Sequence, residues 1–128
     1  MRQDRPTVLV VDDDASVRKS LQRLLRSAGF AVQTFASGVE FMAHEPFVGS
    51  YCLVLDVQMP HMNGLEVQHR LAESGSTLPV IFITAHADSQ VRDRTMQAGA
   101  TAFLVKPFND HALLDAIEES LTSTEPGV

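Results

Sequence analysis

Residues that can bind a cation or carry a phosphoryl group follow four apolar runs of this chain. They are Asp12 and Asp13, Asp56, Thr84 and Lys106. Three carboxylates close together repel one another unless a cation joins them or some hold a proton. Mg²⁺, a hard cation with oxygen ligands, suits such a site, and Mn²⁺ can substitute. With an ammonium and a hydroxyl, it would accommodate the oxygens of a phosphoryl group on Asp56, because carboxylates form aspartyl-phosphates.

Each of these residues also has a simpler explanation when it is taken alone. The run Asp12–Asp14 could be a solvated turn, and Asp56 could cap the turn that Pro60 and Gly64 indicate. Thr84 could be an ordinary strand end, and Lys106 a surface lysine with a buried stem. Chance does not readily place all of them at four strand ends, so their conjunction favours a site.

The elements that must position these residues are five predicted strands, each followed by a helix. Short apolar runs predict the strands, at Val8–Val11, Phe30–Phe35, Leu53–Leu55, Pro79–Thr84 and Thr101–Val105. Helical spacing predicts helices from Asp14 to Ala28, Ser37 to about His44, Leu65 to Glu73, Asp88 or Ser89 to about Ala98, and Asn109 or Asp110 to Leu121. Loops are predicted at 46–50 and 74–76. This alternation predicts an α/β fold with a parallel sheet, helices on both faces and the reactive residues along one edge.

The apolar positions of each helix predict the face that it buries. The inward residues are Val17, Leu21, Leu24, Leu25 and Ala28, then Val39 and Met42, Val67 and Leu71, and finally Leu113, Ala116, Ile117 and Leu121. The fourth helix is polar, with a thin stripe of Val91, Thr95 and Ala98. Such a stripe suits an element that shifts or meets a partner, although a solvated helix face explains it equally.

Composition excludes several classes of protein. The net charge is -6 over 128 residues, which argues against direct nucleic-acid binding by this chain. No apolar run reaches membrane-spanning length, and the N-terminus lacks a signal-peptide core. Cys52 is expected to be a small core residue, and a cytoplasmic setting is expected. The five histidines show no close ligand spacing, so most are expected at the surface.

The set of motifs resembles the receiver domain of two-component response regulators. The matching residues are Asp12-Asp13, Asp56 with Met59-Pro60 and Asn63-Gly64, Thr84-Ala85, and Lys106-Pro107. Further stretches resemble the FixJ-like branch, which has a LuxR/NarL-type output: Val17 to Leu21, Phe35 to Gly38, Phe82 to Asp88, and Lys106 to Phe108. The resemblance implies a flavodoxin-like doubly wound fold with strand order 2-1-3-4-5. It also implies a single receiver domain over 1–128, with its core at about 7–121 and a loose tail or linker start at 122–128.

The resemblance also implies roles for individual residues. Asp56 is the phosphoacceptor, and Asp12, Asp13, Asp56 and the backbone carbonyl of Gln58 are the Mg²⁺ ligands, with Asp12 acting mainly through water. Thr84 and Lys106 would contact the phosphoryl group, and Thr84 and Phe103 would form the switch. Gln58 and His86 would tune hydrolysis. The bond before Pro107 would be cis.

The implied partners are a sensor histidine kinase and a second copy of the chain. Phosphorylation would promote dimerisation through the fourth helix, fifth strand and fifth helix, and a DNA-binding domain absent from this chain would control transcription. The domain would catalyse only its own phosphorylation and dephosphorylation. A stand-alone or degenerate receiver remains an alternative. A haloacid dehalogenase-like phosphatase is disfavoured because Gln58 stands where a second acid is needed, and a nucleotide- or flavin-binding domain because the first strand leads into acids.

Overall fold

The structure is a computed structural model, and it describes residues 6–44, 51–86 and 89–123. Its strands are β1 (Thr7–Val11), β2 (Ala31–Phe35), β3 (Tyr51–Asp56), β4 (Val80–Thr84) and β5 (Ala102–Val105). Its helices are α1 (Ala15–Ser27), α2 (Gly38–Met42), α3 (Gly64–Glu73), α4 (Ser89–Gln97) and α5 (Asp110–Ser123). The loop expected at 46–50 and a cap at Asp88 lie outside the described residues.

The five strands form one parallel sheet in the order β2-β1-β3-β4-β5, which confirms the predicted fold. In the register of the sheet, Val11 lies opposite Leu55, and Asp56 lies opposite Ile83. Thr84 lies opposite Val105 at the other side. The ends of β1, β3, β4 and β5 are therefore level, and the residues that follow them meet at one edge.

Two apolar clusters hold helices against the two faces of the sheet, because alternate strand residues point to opposite sides. One cluster joins β1, β3 and β4 to α1 and α5, and it includes Val8, Val10, Val54, Ile81, Leu25 and Ile117. The other joins the same strands to α2 and α3, and it includes Leu9, Val11, Leu53, Phe82, Phe41 and Val67. Burial on both faces explains why these strands read as continuous apolar runs.

Side-chain caps fix where the helices begin. Asp14 accepts a hydrogen bond from the Ser16 N–H at 2.8 Å, and Ser37 accepts one from the Glu40 N–H at 3.0 Å. Asn109 accepts one from the His111 N–H at 2.7 Å. These contacts confirm the predicted caps at Asp14, Ser37 and Asn109. Because the caps hold the first turns, each of these three helices starts at a defined distance from the strand end before it.

The prediction for the second helix is partly wrong. Val39 was expected to face inward, but its side chain is 55% exposed. Phe41 is fully buried instead and packs edge-to-face on Phe35, with ring centroids 5.4 Å apart. The helix has only five residues, so its one buried face is centred on the largest side chain.

Two further helix ends differ from the prediction. Ala98 lies beyond the end of α4 and is exposed, whereas Thr95 is fully buried and Val91 is half-buried. Helix α5 continues to Ser123, so residues 122 and 123 of the expected tail are helical, and residues 124–128 lie outside the described part.

Cys52 is a small core residue, as predicted. Its side chain is fully buried, and its sulfur accepts a hydrogen bond from Ser120 Oγ at 3.1 Å. Burial raises the pKa of the Cys52 thiol to about 11. Across the described parts of the chain, no helix has both the length and the hydropathy that a membrane span requires.

Candidate functional site

Three carboxylates converge at the carboxyl edge of the sheet. Asp12 follows β1, Asp13 is its neighbour, and Asp56 ends β3, the strand beside β1. One carboxylate oxygen from each lies within 4.8 Å of the others. Asp12 is fully buried and Asp56 is 4% exposed, while Asp13 is exposed. The acids predicted from the strand ends therefore do form a cluster, which is open to solvent on the Asp13 side.

Asp12 is fixed by contacts to three other elements. Its Oδ2 atom accepts a charge-assisted hydrogen bond from Lys106 Nζ at 2.9 Å, and its Oδ1 atom accepts one from the Asp14 N–H at 2.9 Å. Its backbone N–H donates to the Phe35 carbonyl at 3.2 Å, and its own carbonyl accepts from Arg18 Nη1 at 2.8 Å. The Asp12 side chain and backbone are therefore held in one orientation.

Asp56 lies against the same ammonium but is bonded more loosely. Its Oδ1 atom is 3.9 Å from Lys106 Nζ and accepts the Gln58 N–H at 3.3 Å. Burial, with the nearby charge of Asp12, raises the pKa of Asp56 to about 7. Lys106 and the Gln58 N–H act in the opposite direction, and Asp13 adds a smaller increase. Without a cation, this carboxyl group is partly protonated near neutral pH.

The cluster has the chemistry of a divalent-cation site. All three groups are carboxylates, and hard cations such as Mg²⁺ prefer oxygen ligands. Burial and the charge of Asp12 raise the pKa of Asp56, and Lys106 opposes only part of this increase. A divalent cation on these oxygens would favour the ionised carboxylate, so the residues suit such an ion.

The other predicted site residues differ in exposure. Thr84 ends β4, is fully buried, and accepts the His86 N–H on its Oγ1 atom at 3.1 Å. The Gln58 and His86 side chains are exposed. Phe103 is half-buried against the core cluster of the α2 and α3 face. The bond between Lys106 and Pro107 is cis, the geometry that the resemblance implies.

Sequence reasoning missed the contact that Arg18 makes. The sequence places Arg18 in a stretch typical of the FixJ-like branch and indicates no contact for it. In the structure it binds the Asp12 carbonyl directly. The available signal was its place one turn inside a helix whose cap, Asp14, comes directly after the acids.

Comparison with known proteins identifies the family. Residues 8–118 match the model of the family described as "Response regulator receiver domain". The chain is 40% identical to the response regulator protein TmoT of Ectopseudomonas mendocina, over 94% of this chain and 55% of that protein. It is 41% identical to the transcriptional regulatory protein FixJ of Rhizobium meliloti, over 95% of this chain and 61% of that protein.

A solved structure gives the same assignment. The response regulator StyR superposes with a TM-score of 0.87 at 51% identity, over 94% of this chain and 61% of that one. The chain thus spans less than two thirds of these relatives, and its likeness to FixJ confirms the predicted branch. The acidic triad of Asp12, Asp13 and Asp56 is typical of a receiver metal site. The chain belongs to the response regulator receiver domain family, a family of signalling domains in two-component systems.

Proposed function

We propose that Asp56 accepts a phosphoryl group from a phosphohistidine of a sensor histidine kinase. A carboxylate oxygen of Asp56 attacks phosphorus, the phosphorus–nitrogen bond breaks, and the histidine leaves with the electron pair. The observation that carries this proposal is the place of Asp56, at a strand end beside two acids and 3.9 Å from the Lys106 ammonium. A carboxylate so placed can act as a nucleophile while its neighbours offset the charge that develops.

Asp13 and Asp56 would hold Mg²⁺ directly through carboxylate oxygens and Asp12 mainly through water, with the Gln58 carbonyl as a further ligand and Mn²⁺ as a substitute. When bound, the ion would draw charge from the phosphoryl oxygens and keep Asp56 ionised. Asp12 would not attack phosphorus, because both of its carboxylate oxygens already accept hydrogen bonds. Asp56 is also buried, but its contacts, at 3.3 and 3.9 Å, are longer than those of Asp12.

Lys106 and Thr84 would bind the transferred group. The Lys106 ammonium already contacts Asp12 and lies near Asp56, so a small movement would pair it with a phosphoryl oxygen. The Thr84 hydroxyl has its proton available, since its oxygen accepts rather than donates in the contact with His86. Gln58 and His86 have exposed side chains beside these residues, from which they would control water access and the rate of hydrolysis.

Phosphorylation would change the face formed by α4, β5 and α5. Thr84 would turn toward the phosphoryl group, and the half-buried ring of Phe103 would fill the space that it leaves. This is a shift between two packings of one fold. A second copy of the chain would then bind this face, where the Met96 side chain is 43% exposed.

The relatives support a proposal for the wider role. FixJ is named a transcriptional regulatory protein, and the chain covers 61% of it. We infer that 1–128 is one receiver domain, with a core at 7–121, and that it controls transcription through a DNA-binding segment outside this sequence. The setting would be cytoplasmic, and phosphotransfer and dephosphorylation of Asp56 would be its only catalysis.

Phosphoryl uptake tests the proposal. The protein is incubated with Mg²⁺ and either acetyl phosphate or phosphoramidate, and intact mass is measured. The wild type should gain one phosphoryl group and Asp56→Asn none, whereas Asp93→Asn, which removes an exposed acid from α4, should behave as the wild type. A wild type that binds Mg²⁺ but stays unmodified with both donors would instead indicate a degenerate receiver.

A further inference from the structure

We propose that Arg18 is a positioning residue for the metal site, which orients the Asp13 carboxylate by holding the peptide group between Asp12 and Asp13. The inference rests on the proposed function, because the metal site is part of it. It gives a role to a side chain that binds no substrate and no ion.

The first step is the contact itself. Arg18 Nη1 donates to the Asp12 carbonyl oxygen at 2.8 Å, and the Arg18 side chain is half-buried. Arg18 is also fixed as part of the first turn of α1, since its backbone N–H bonds to the Asp14 carbonyl at 3.0 Å. The guanidinium therefore ties the start of α1 back to the end of β1.

The second step identifies the acid whose orientation depends on this contact. The Asp12 carboxylate has its own partners in Lys106 and the Asp14 N–H, so it does not need Arg18. Asp13 is exposed, and its direction follows from its backbone. The Asp12 carbonyl and the Asp13 N–H belong to one planar peptide group, so a bond to the carbonyl sets the orientation from which the Asp13 side chain starts.

The third step is that electrostatics and positioning predict opposite changes in Mg²⁺ affinity when Arg18 is replaced. A guanidinium near a cation site repels the cation, so removal of its charge alone would tighten Mg²⁺ binding. If Arg18 holds Asp13 in place, its removal would weaken binding, because one ligand would spread over several orientations. Outer partners of metal ligands typically contribute about 10- to 100-fold in metal affinity.

Calorimetric titration of the 128-residue chain with Mg²⁺ alone separates these effects. Arg18→Met should raise the Kd about tenfold. Arg18→Lys keeps a donor of similar length and should recover most of that affinity. Arg23→Met removes the same charge from an exposed position of α1, and its Kd should stay within about twofold of the wild type. Thermal unfolding of each variant ensures that the folded fraction is the same during titration.

The outcomes distinguish the inference from the function on which it rests. A wild type that binds no Mg²⁺ would overturn the proposed function. A wild type that binds Mg²⁺, together with an Arg18→Met variant that binds equally or more tightly, would overturn the positioning role alone. If Arg18→Met does not fold, Arg18→Gln replaces it, and the same weakening is expected since a shorter neutral side chain does not reach the carbonyl.

Discussion

The two sides of the acidic cluster are held in different ways. On the acid side, β1 and β3 are interior strands with partners on both edges, and every residue from Val8 to Val11 is fully buried. On the other side, β5 is an edge strand whose residues are all half-buried. Helix α1 buries Leu21 and Leu25, whereas the buried residue of α4 is Thr95. We call these the acid side (β1, β3 and α1) and the edge side (α4 and β5).

The difference shows what each side can contribute to signalling. Carboxylate ligands must keep fixed distances, and burial of the strand residues that precede them supplies that rigidity. Segments with few buried apolar contacts open and shift at lower free energy, which suits a surface that must change. Lys106 belongs to the edge side by sequence and to the acid side by contact, at 2.9 Å from Asp12. It is therefore a second group, beside Thr84, through which a change at Asp56 would reach β5.

The strongest test of this link is Lys106→Met. The rate of phosphorylation should fall about 10²- to 10³-fold, because a preorganised cation opposite the developing charge is lost. The pKa of Asp56 should rise above about 7, since Lys106 lowers it. Phosphorylation kinetics and carboxyl NMR titration measure both effects. Lys19→Met, at an exposed position of α1, is the control and should change neither quantity.

The second test uses pH to probe the acid side alone, with Mg²⁺ removed by a chelator. Asp56 has a pKa of about 7 in the fold and about 3.9 when unfolded. The folded state therefore holds the proton more tightly, and its stabilising contribution is complete below pH ~4 and lost as pH rises to ~7. The wild type should lose about 3 kcal/mol over this range relative to Asp56→Asn.

Denaturant unfolding at a series of pH values measures this loss. Saturating Mg²⁺ should remove it, since a bound cation favours the ionised carboxylate. Equal pH profiles for wild type and Asp56→Asn under chelation would contradict the raised pKa of Asp56 that burial and the charge of Asp12 produce.

The third test compares packing of α3 against the acid side, at Gly64, with packing on the edge side, at Gly99. A Cβ atom at Gly64 would lie 2.5 Å from the Asp56 carbonyl oxygen and 3.0 Å from Val57 Cα. Because both are backbone atoms, Gly64→Ala should cost about 2 kcal/mol of unfolding free energy and reduce the Mg²⁺ affinity by displacing Asp56. At Gly99, after α4, no atom lies within 4 Å of an added Cβ, although φ is +100°. Gly99→Ala should cost about 1 kcal/mol and leave Mg²⁺ affinity unchanged. Denaturation and titration of both variants measure these effects, and equal affinity losses would contradict the comparison.

The sequence predicted the elements well because their signals are local. Runs such as Val8–Val11 read as buried strands, and Asp14 reads as a cap, without knowledge of any distant contact. The acids could be placed together because parallel strands end at one edge. The face of α2 could not be predicted, since a five-residue helix gives too few positions to define a stripe and Phe41 outweighs Val39.

Contacts to the backbone were the part of the site that residue types could not reveal. Arg18 binds a carbonyl oxygen, and every residue carries one, so no pairing of complementary side chains indicates the contact. The loose contact of Asp56 with Lys106, at 3.9 Å against 2.9 Å for Asp12, likewise depends on where the strands end in three dimensions. Composition shows which reactive groups are present. Only the register of the sheet shows which acid lies closer to Lys106.

The smallest expected effect on stability tests the edge side as a surface. Met96 on α4 and Val39 on α2 are exposed large apolar side chains, at 43% and 55%. Met96→Ser and Val39→Ser should each change the free energy of unfolding by less than about 0.5 kcal/mol, because neither side chain is buried.

With Mg²⁺ and beryllofluoride as a phosphoryl mimic, sedimentation should show a dimer for the wild type and Val39→Ser, and a weaker dimer for Met96→Ser. Equal dimerisation of both variants would place the interface elsewhere, and a wild type with the same oligomeric state with and without beryllofluoride would refute switching of the α4–β5–α5 face. Because stability is matched within the pair, a difference in dimerisation can only come from the surface that each residue occupies.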